Sequence, residues 1–283
     1  MNSLAAQLGH AYKAACMAEI EALKPGNVHI FADGHGMVVQ DFVRSAEAAS
    51  AAIAQPELTV GQRILSTVEA TWEAVGCNTN LGLILLCAPI IQAVLNGKKS
   101  TLRERLQEVL QGLTVADATL TYQAILKASP AGLGESVRYD VHAPPSVTLL
   151  AAMQEAQQRD LVARQYANGF ADVLDGAAHY QNTLQRWQRP AWATTAVYLG
   201  FLANFADSHI TRKHGATVAL AAQEEAKSYE QAFLAQDNPK TCQRELLKFD
   251  ADLKARGLNT GTSADLTVAS LLVVSLESAV INM

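Results

Sequence analysis

The sequence predicts an all-α protein, and two observations carry that expectation. Apolar residues recur at helical spacing from end to end, and period-2 runs of β-branched residues bounded by turns are almost absent. Of the 283 residues, 49% are apolar and only 17% are charged, which excludes disorder and points to extensive burial. No composition break or Pro/Gly/Ser-rich linker divides the chain. A single domain over 1–283 is therefore expected, a bundle of about twelve helices around an apolar C-terminal one. A surface with so few charges also suits a subunit interface, so a homo-oligomer is a further expectation.

The first helix is expected over 3–23. Leu4, Leu8, Tyr12, Ala15, Cys16 and Leu23 share one face, and Glu19 falls in the middle of it. An ionised carboxylate buried without partners costs several kcal/mol, so Glu19 needs a cation, a metal or a catalytic reason to be there. A structural ion pair with Lys24 or an arginine is the plain alternative. Pro25 and Gly26 then stop the helix, leaving Lys24, Asn27 and His29 to reach a ligand. Helices follow over 39–54 and 60–75. Gly76 can close the second of these, and Asn78, Thr79 or Asn80 can cap the next, over 80–96, whose free N–H groups make an anion site. The segment Leu81 to Leu95 contains Pro89 and Gln92 and falls short of the ~20 residues needed to span a bilayer, so it reads as a buried, kinked helix.

Further helices are expected over 101–112, 115–128, 146–156, 159–187 (broken near Gly169 or Gly176), 191–206, 215–235, 239–256 and 262–280, placed to within about 2–4 residues. Between them lie three more connections rich in polar groups and glycine: Gly134 to His142, Asp207 to Gly215, and Gly257 to Asp265. The second gathers Asp207, His209, Arg212, Lys213 and His214 in one short loop, the densest positive cluster of the chain, which fits phosphate binding beside a carboxylate. A solvated charge run is the bland reading, but the flanking helices are too apolar for an ordinary surface. Thr262 and Asp265 have capping-box spacing.

The net charge of −5 argues against a nucleic-acid binder, so any phosphate must meet that local cluster. Cys16, Cys77, Cys87 and Cys242 show no CxxC spacing and read as reduced thiols. The N-terminal residues lack the basic and apolar stretches of a secretory signal, which suggests the cytoplasm. The histidines form no HExxH, no His-Asp dipeptide of helical phosphohydrolases, and no Asp-Asp-x-x-Asp of helical prenyl-transfer enzymes appears.

In order and spacing, these segments resemble the triphosphoribosyl-dephospho-CoA synthase family, which makes the prosthetic-group precursor of citrate lyase and malonate decarboxylase. The segments are Glu19 with Lys24 to His29, Gly34-His35 followed by Asp41-Phe42, Asn78 to Gly82, Asp207 to Gly215, and Gly261 to Leu266. Where the family's second motif typically reads Asn-Thr-His-Lys-Gly, this chain has Asn80 and Leu81 in place of His and Lys. The fourth, typically Asp-Thr-Asn-Val then Arg-Gly-Gly, appears as Asp207 to Ile210 then Arg212 to Gly215. One loop has lost a cation and another has gained some.

The resemblance implies a ribosyl transfer. The ribose 2′-hydroxyl of 3′-dephospho-CoA attacks the anomeric carbon of ATP, adenine leaves, and the triphosphate stays on the product. By resemblance, Glu19 and Asp207 stand near the reacting carbon, Lys24, Arg212 and Lys213 on phosphates, and Asn78, Thr79 and Asn80 on phosphate or ribose. Asn27, His29, His35, Arg138, His142, His209, Gly261 and Ser263 complete the expected substrate contacts. Mg²⁺ is expected with ATP, on Asp41, Asp207 or Asp265. Two other readings stay open at this point. One is a related transferase acting on another alcohol, such as a pterin-cofactor precursor, which Asn80-Leu81 would motivate. The other is a non-catalytic nucleotide-binding partner of an acyl-carrier enzyme.

Overall fold

The computed structural model describes residues 3–97, 100–130 and 132–280, and among them the chain is all-α. The described residues sort into two compact units. One comprises the chain up to Ala14, Val43–Ala171 and the chain from Ser275; the other comprises Ala15–Phe42 and Asp172–Val274.

The first unit is built from the beginning of α1 (Leu4–Ile20), most of α2 (Val39–Ile53), and then α3 (Val60–Val75), α4 (Leu81–Leu95), α5 (Leu102–Gln111), α6 (Val115–Ala128), α7 (Leu149–Ala156) and α8 (Leu161–Asn168). Three of these helices start with reciprocal capping boxes, Thr59 with Gln62, Thr101 with Glu104 and Thr114 with Asp117, each satisfying two backbone donors that the helix itself leaves unpaired. Asp117 also accepts the Gly61 N–H at 2.8 Å, so one carboxylate caps α6 and ties α3 to it. Helix α4 is the core element: Ile84, Leu86, Ile90 and Ile91 are fully buried, and Pro89 lies inside the helix as expected. Arg63 is buried too. Its guanidinium donates to the carbonyls of Ile53, Gln55 and Leu58 that follow the end of α2, and burial pushes its pKa down to about 10.

The second unit holds the rest of α1, the Lys24 turn, and then most of α9 (Ala171–Trp187), α10 (Pro190–Asn204), α11 (Ser208–His214), α12 (Ala216–Leu234), α13 (Gln243–Ala255) and most of α14 (Gly261–Val280). Leu199, Leu202, Ile210, Phe233, Leu253 and Leu258 form its core. Every residue of α14 from Leu266 to Val273 is buried. Its Thr267 and Ser270 hydroxyls donate one turn back, to Ser263 and Leu266, so burial leaves neither unsatisfied. Gly176 of α9 faces that helix, where a Cβ would lie 2.4 Å from the Ser270 hydroxyl.

The structure departs from the expected boundaries in three places. Helix α1 ends at Ile20 rather than 23, because Ala22 turns back to Glu19 and Pro25 has no N–H with which to resume the ladder. The expected break in 159–187 falls at the first of its two candidate glycines, Gly169, which takes the left-handed conformation at φ 70°, giving α8 and α9. The Asp207 connection is mostly helical, as α11, since Asp207 caps it. Helix α13 is preceded by a 3-10 turn, Pro239–Cys242. These breaks raise the number to fourteen α-helices among the described residues. No helix there is long and apolar enough to cross a membrane.

Candidate active site

In the second unit Glu19 is indeed buried, and its partner is Lys24. The Lys24 ammonium donates to Glu19 and, at 3.1 Å, to the Asn27 side-chain carbonyl. Asn27 donates in turn to Asn259 at 3.0 Å. Burial pushes the Glu19 carboxyl up and the Lys24 ammonium down, and their mutual attraction opposes both shifts. Glu19 keeps 5% of its surface exposed and Lys24 none. Lys24 therefore holds Glu19 and Asn27 rather than standing open to phosphate.

The turn that carries Lys24 is fixed by its backbone. Gly26 adopts φ 85°, and the neighbouring Pro25 carbonyl accepts from the Tyr198 hydroxyl at 2.6 Å and the Thr260 hydroxyl at 3.1 Å. The Gly26 N–H donates to Asp250 at 2.9 Å, and its carbonyl meets the His35 ring at 2.9 Å. His29 is fully buried. Its Nδ1 accepts the Phe31 N–H, so Nε2 carries the proton and faces Asp250 at a long 3.4 Å. Burial lowers the His29 pKa against the pull of Asp250. Asn27 and His29, expected to reach a ligand, instead form the enclosed floor of the site.

Asp207 joins two helix starts. One carboxylate oxygen accepts the His209 N–H at 2.8 Å and the Ile210 N–H at 3.4 Å; the other accepts the Ser263 N–H and hydroxyl, both at 2.8 Å. Its acceptor positions are filled and it is fully buried, with burial raising its pKa against those four bonds. Thr262 lies within the first turn of α14 instead of before it, and its hydroxyl accepts the His209 N–H at 3.2 Å. This arrangement presents the basic residues of α11. Lys213 is exposed and Arg212, His209 and His35 are half-buried. Burial, then the charges of Arg212, Lys213, His35 and His214, lower the His209 pKa to about 4. A Cβ on Gly261 would lie 3.5 Å from both the Asn259 side-chain oxygen and His209 Nδ1, so the floor and the basic cluster adjoin at the start of α14.

A family model described as CitG, ATP:dephospho-CoA triphosphoribosyl transferase, matches residues 5–282. The chain belongs to this family. It is an enzyme, a transferase that moves the triphosphoribosyl group of ATP to dephospho-CoA, and transfer to another alcohol is not favoured. The fold is similar to that of a crystal structure from Archaeoglobus fulgidus provisionally described as a triphosphoribosyl-dephospho-CoA synthase. The TM-score is 0.63 at 21% identity, over 81% of this chain and 96% of that one. No curated protein sequence matches the chain.

Of the other expected contacts, Asn78, Thr79, Asn80, Arg138 and His142 lie in the first unit, where local bonds engage them. The Asn78 carbonyl oxygen accepts the Leu81 N–H at 3.1 Å, Thr79 shares a 2.6 Å bond with Ser45, and Asn80, buried, contacts Thr71 at 3.4 Å. Leu81 is buried as an ordinary core residue. Arg138 is exposed and lies 3.5 Å from Glu155, and the exposed His142 ring bonds Asp140 at 2.7 Å. Sequence reasoning missed Tyr198, Asp250, Lys254 and Asn259. Tyr198, Asp250 and Lys254 are lone polar residues in helices without a motif, though Asp250 and Lys254 have the i, i+4 spacing of an ion pair, and Asn259 lies in the Gly257 to Asp265 connection two residues ahead of its motif.

Proposed function

We propose that this chain carries out triphosphoribosyl transfer in the second unit, with Glu19 as the catalytic carboxylate and the α11 cations as the triphosphate site. The observation that carries this reading is the run of contacts from the buried Glu19 carboxylate through Lys24, Asn27 and Asn259 to the start of α14, where the His209 ring of the basic helix α11 also lies. A carboxylate in a water-poor setting stabilises positive charge developing at the anomeric carbon, and its raised pKa favours taking the proton of the attacking 2′-hydroxyl. The C–O bond to that hydroxyl forms as its proton passes to Glu19, the bond to adenine breaks with its electron pair, and the departing base takes a proton from solvent, to which Glu19 later returns its own. His209, uncharged at neutral pH, offers that base a hydrogen bond. Lys24 holds Glu19, and Asp207 and Ser263 hold α11 against α14.

Mg²⁺ fits this site as an ion brought by the nucleotide. Among the described residues no three His, Cys, Asp or Glu side chains converge on a protein-only metal site, and Mg²⁺ with ATP is commonly held by phosphates and one or two carboxylates. We assign Asp265, half-buried in the first turn of α14 and within electrostatic reach of Lys24, as that carboxylate. Asp41, near the start of α2, accepts the Val38 N–H at 3.0 Å. When bound, the ion neutralises phosphate charge. Both substrates are nucleotides of the cell interior, which supports a cytoplasmic enzyme.

Calorimetry with ATP and adenosine tests the placement. A charge-assisted contact to phosphate contributes about 1.5–3 kcal/mol, so Arg212→Ala should weaken ATP binding about 10- to 150-fold and adenosine binding hardly at all. Equal losses for both ligands would put Arg212 on the base or in the scaffold and remove the phosphate site from α11.

A further inference from the structure

We propose that Asp250 is a positioning residue for the transfer: through one carboxylate on α13 it sets the turn that carries Lys24 and hence the place of Glu19. The inference rests on the role given to Glu19 above. Asp250 is 3% exposed and accepts from two donors, the Gly26 N–H at 2.9 Å and Lys254 Nζ at 3.0 Å, while the buried His29 Nε2, which makes no hydrogen bond, faces it at 3.4 Å. Burial pushes its pKa up, but these contacts outweigh burial and leave it below the usual carboxylate range.

Each donor belongs to the segment that follows α1 or secures it. Gly26 lies two residues from Lys24, and its left-handed backbone presses on α13 so closely that a Cβ would lie 3.0 Å from Leu253. Lys254 bridges from Asp250 to the Ala32 carbonyl at 3.1 Å, which fastens the loop beyond His29 to the same carboxylate. The other holds on the turn, from Tyr198, Thr260 and Asn259, are neutral hydrogen bonds. Asp250 alone brings a charge, and it satisfies a buried backbone N–H and the Lys254 ammonium at once. Without it, the Gly26 N–H is left in a dry interior with nothing to accept it, and the His29 ring loses the charge it faces.

The test is Asp250→Asn, which keeps the shape. The amide oxygen can still take the Gly26 N–H, but its NH₂ group meets the Lys254 and His29 donors. Because the charged phosphate contacts Arg212 and Lys213 belong to α11 and not to this turn, the variant should lose turnover rather than binding. We expect kcat down at least about tenfold, with KM for ATP and for dephospho-CoA within about threefold of the wild type. Val68→Ala, a cavity in α3 of the first unit, serves as a stability control. With a similar drop in Tm, it should leave kcat per folded molecule unchanged. Should Asp250→Asn not fold, Lys254→Met, which removes the same bridge from its more exposed end, should show the same split to a smaller degree. A kcat within about threefold of the wild type in the folded variant, or an equal loss in Val68→Ala, overturns the inference. Glu19→Gln measured alongside separates the two claims. If it retains turnover, the role of Glu19 falls; if it is inactive while Asp250→Asn is active, only the positioning role falls.

Discussion

Glu19 shows most plainly how much chemistry one residue position can announce. A carboxylate in the middle of an apolar helical face has to be explained by a partner, and Lys24, five residues on, is that partner. Which of the neighbouring polar residues would be open and which enclosed was not legible. Burial of Lys24, Asn27 and His29 depends on Asp250, Tyr198 and Asn259, which lie more than 170 positions away and belong to no motif. Glu19→Gln should remove most turnover and leave the helical circular dichroism intact, since it deletes charge while nearly keeping volume. Activity within about threefold of the wild type, under ~1 kcal/mol in barrier terms, would make Glu19 structural. His209 supplies a second expectation. Its folded pKa, near 4, lies below the unfolded value of about 6.5, so the unfolded chain binds the proton first. Stability from His209 is thus present above about pH 6.5 and is lost as the pH falls toward 4. Glu19 and Asp207, with raised pKa values, act with the opposite sign, so the comparison must be made by variant. His209→Gln should flatten the dependence of Tm on pH across that window; an unchanged slope would show that His209 titrates freely.

At the scale of elements, periodicity located the helices well because most have one buried face and polar caps. Thr59, Thr101 and Thr114 cap α3, α5 and α6 where the sequence changes from polar to periodic. One miss came from length. Helix α11 spans seven residues, too few for a periodic signal, and exists because Asp207 caps it and Ser263 holds that cap from α14. Close helix contact was likewise invisible. A Cβ on Gly61 would lie 2.6 Å from the Asp117 backbone, so α3 and α6 meet there through glycine alone. Gly61→Ala should therefore destabilise the protein by about 1–3 kcal/mol despite the better helix propensity of alanine, because two backbones must move apart and the bond to Asp117 is strained. Denaturant unfolding measures it, and a stabilised variant would mean that the helices part without cost.

For the whole molecule, the all-α class followed from composition and period alone, whereas the family followed from the order of short polar segments that are individually weak. The match over residues 5–282 agrees with that reading of the segments taken together. The departures Asn80 and Leu81 do not disturb the fold, since both are accommodated in the first unit as buried residues. The most direct test of the account is a product assay on the purified protein with ATP, Mg²⁺ and dephospho-CoA, following free adenine and nucleotide products together. The account predicts adenine release that requires dephospho-CoA and matches, mole for mole, an acceptor that has gained the triphosphoribosyl group. Release of adenine without an acceptor, or of ADP or pyrophosphate in its place, would contradict it.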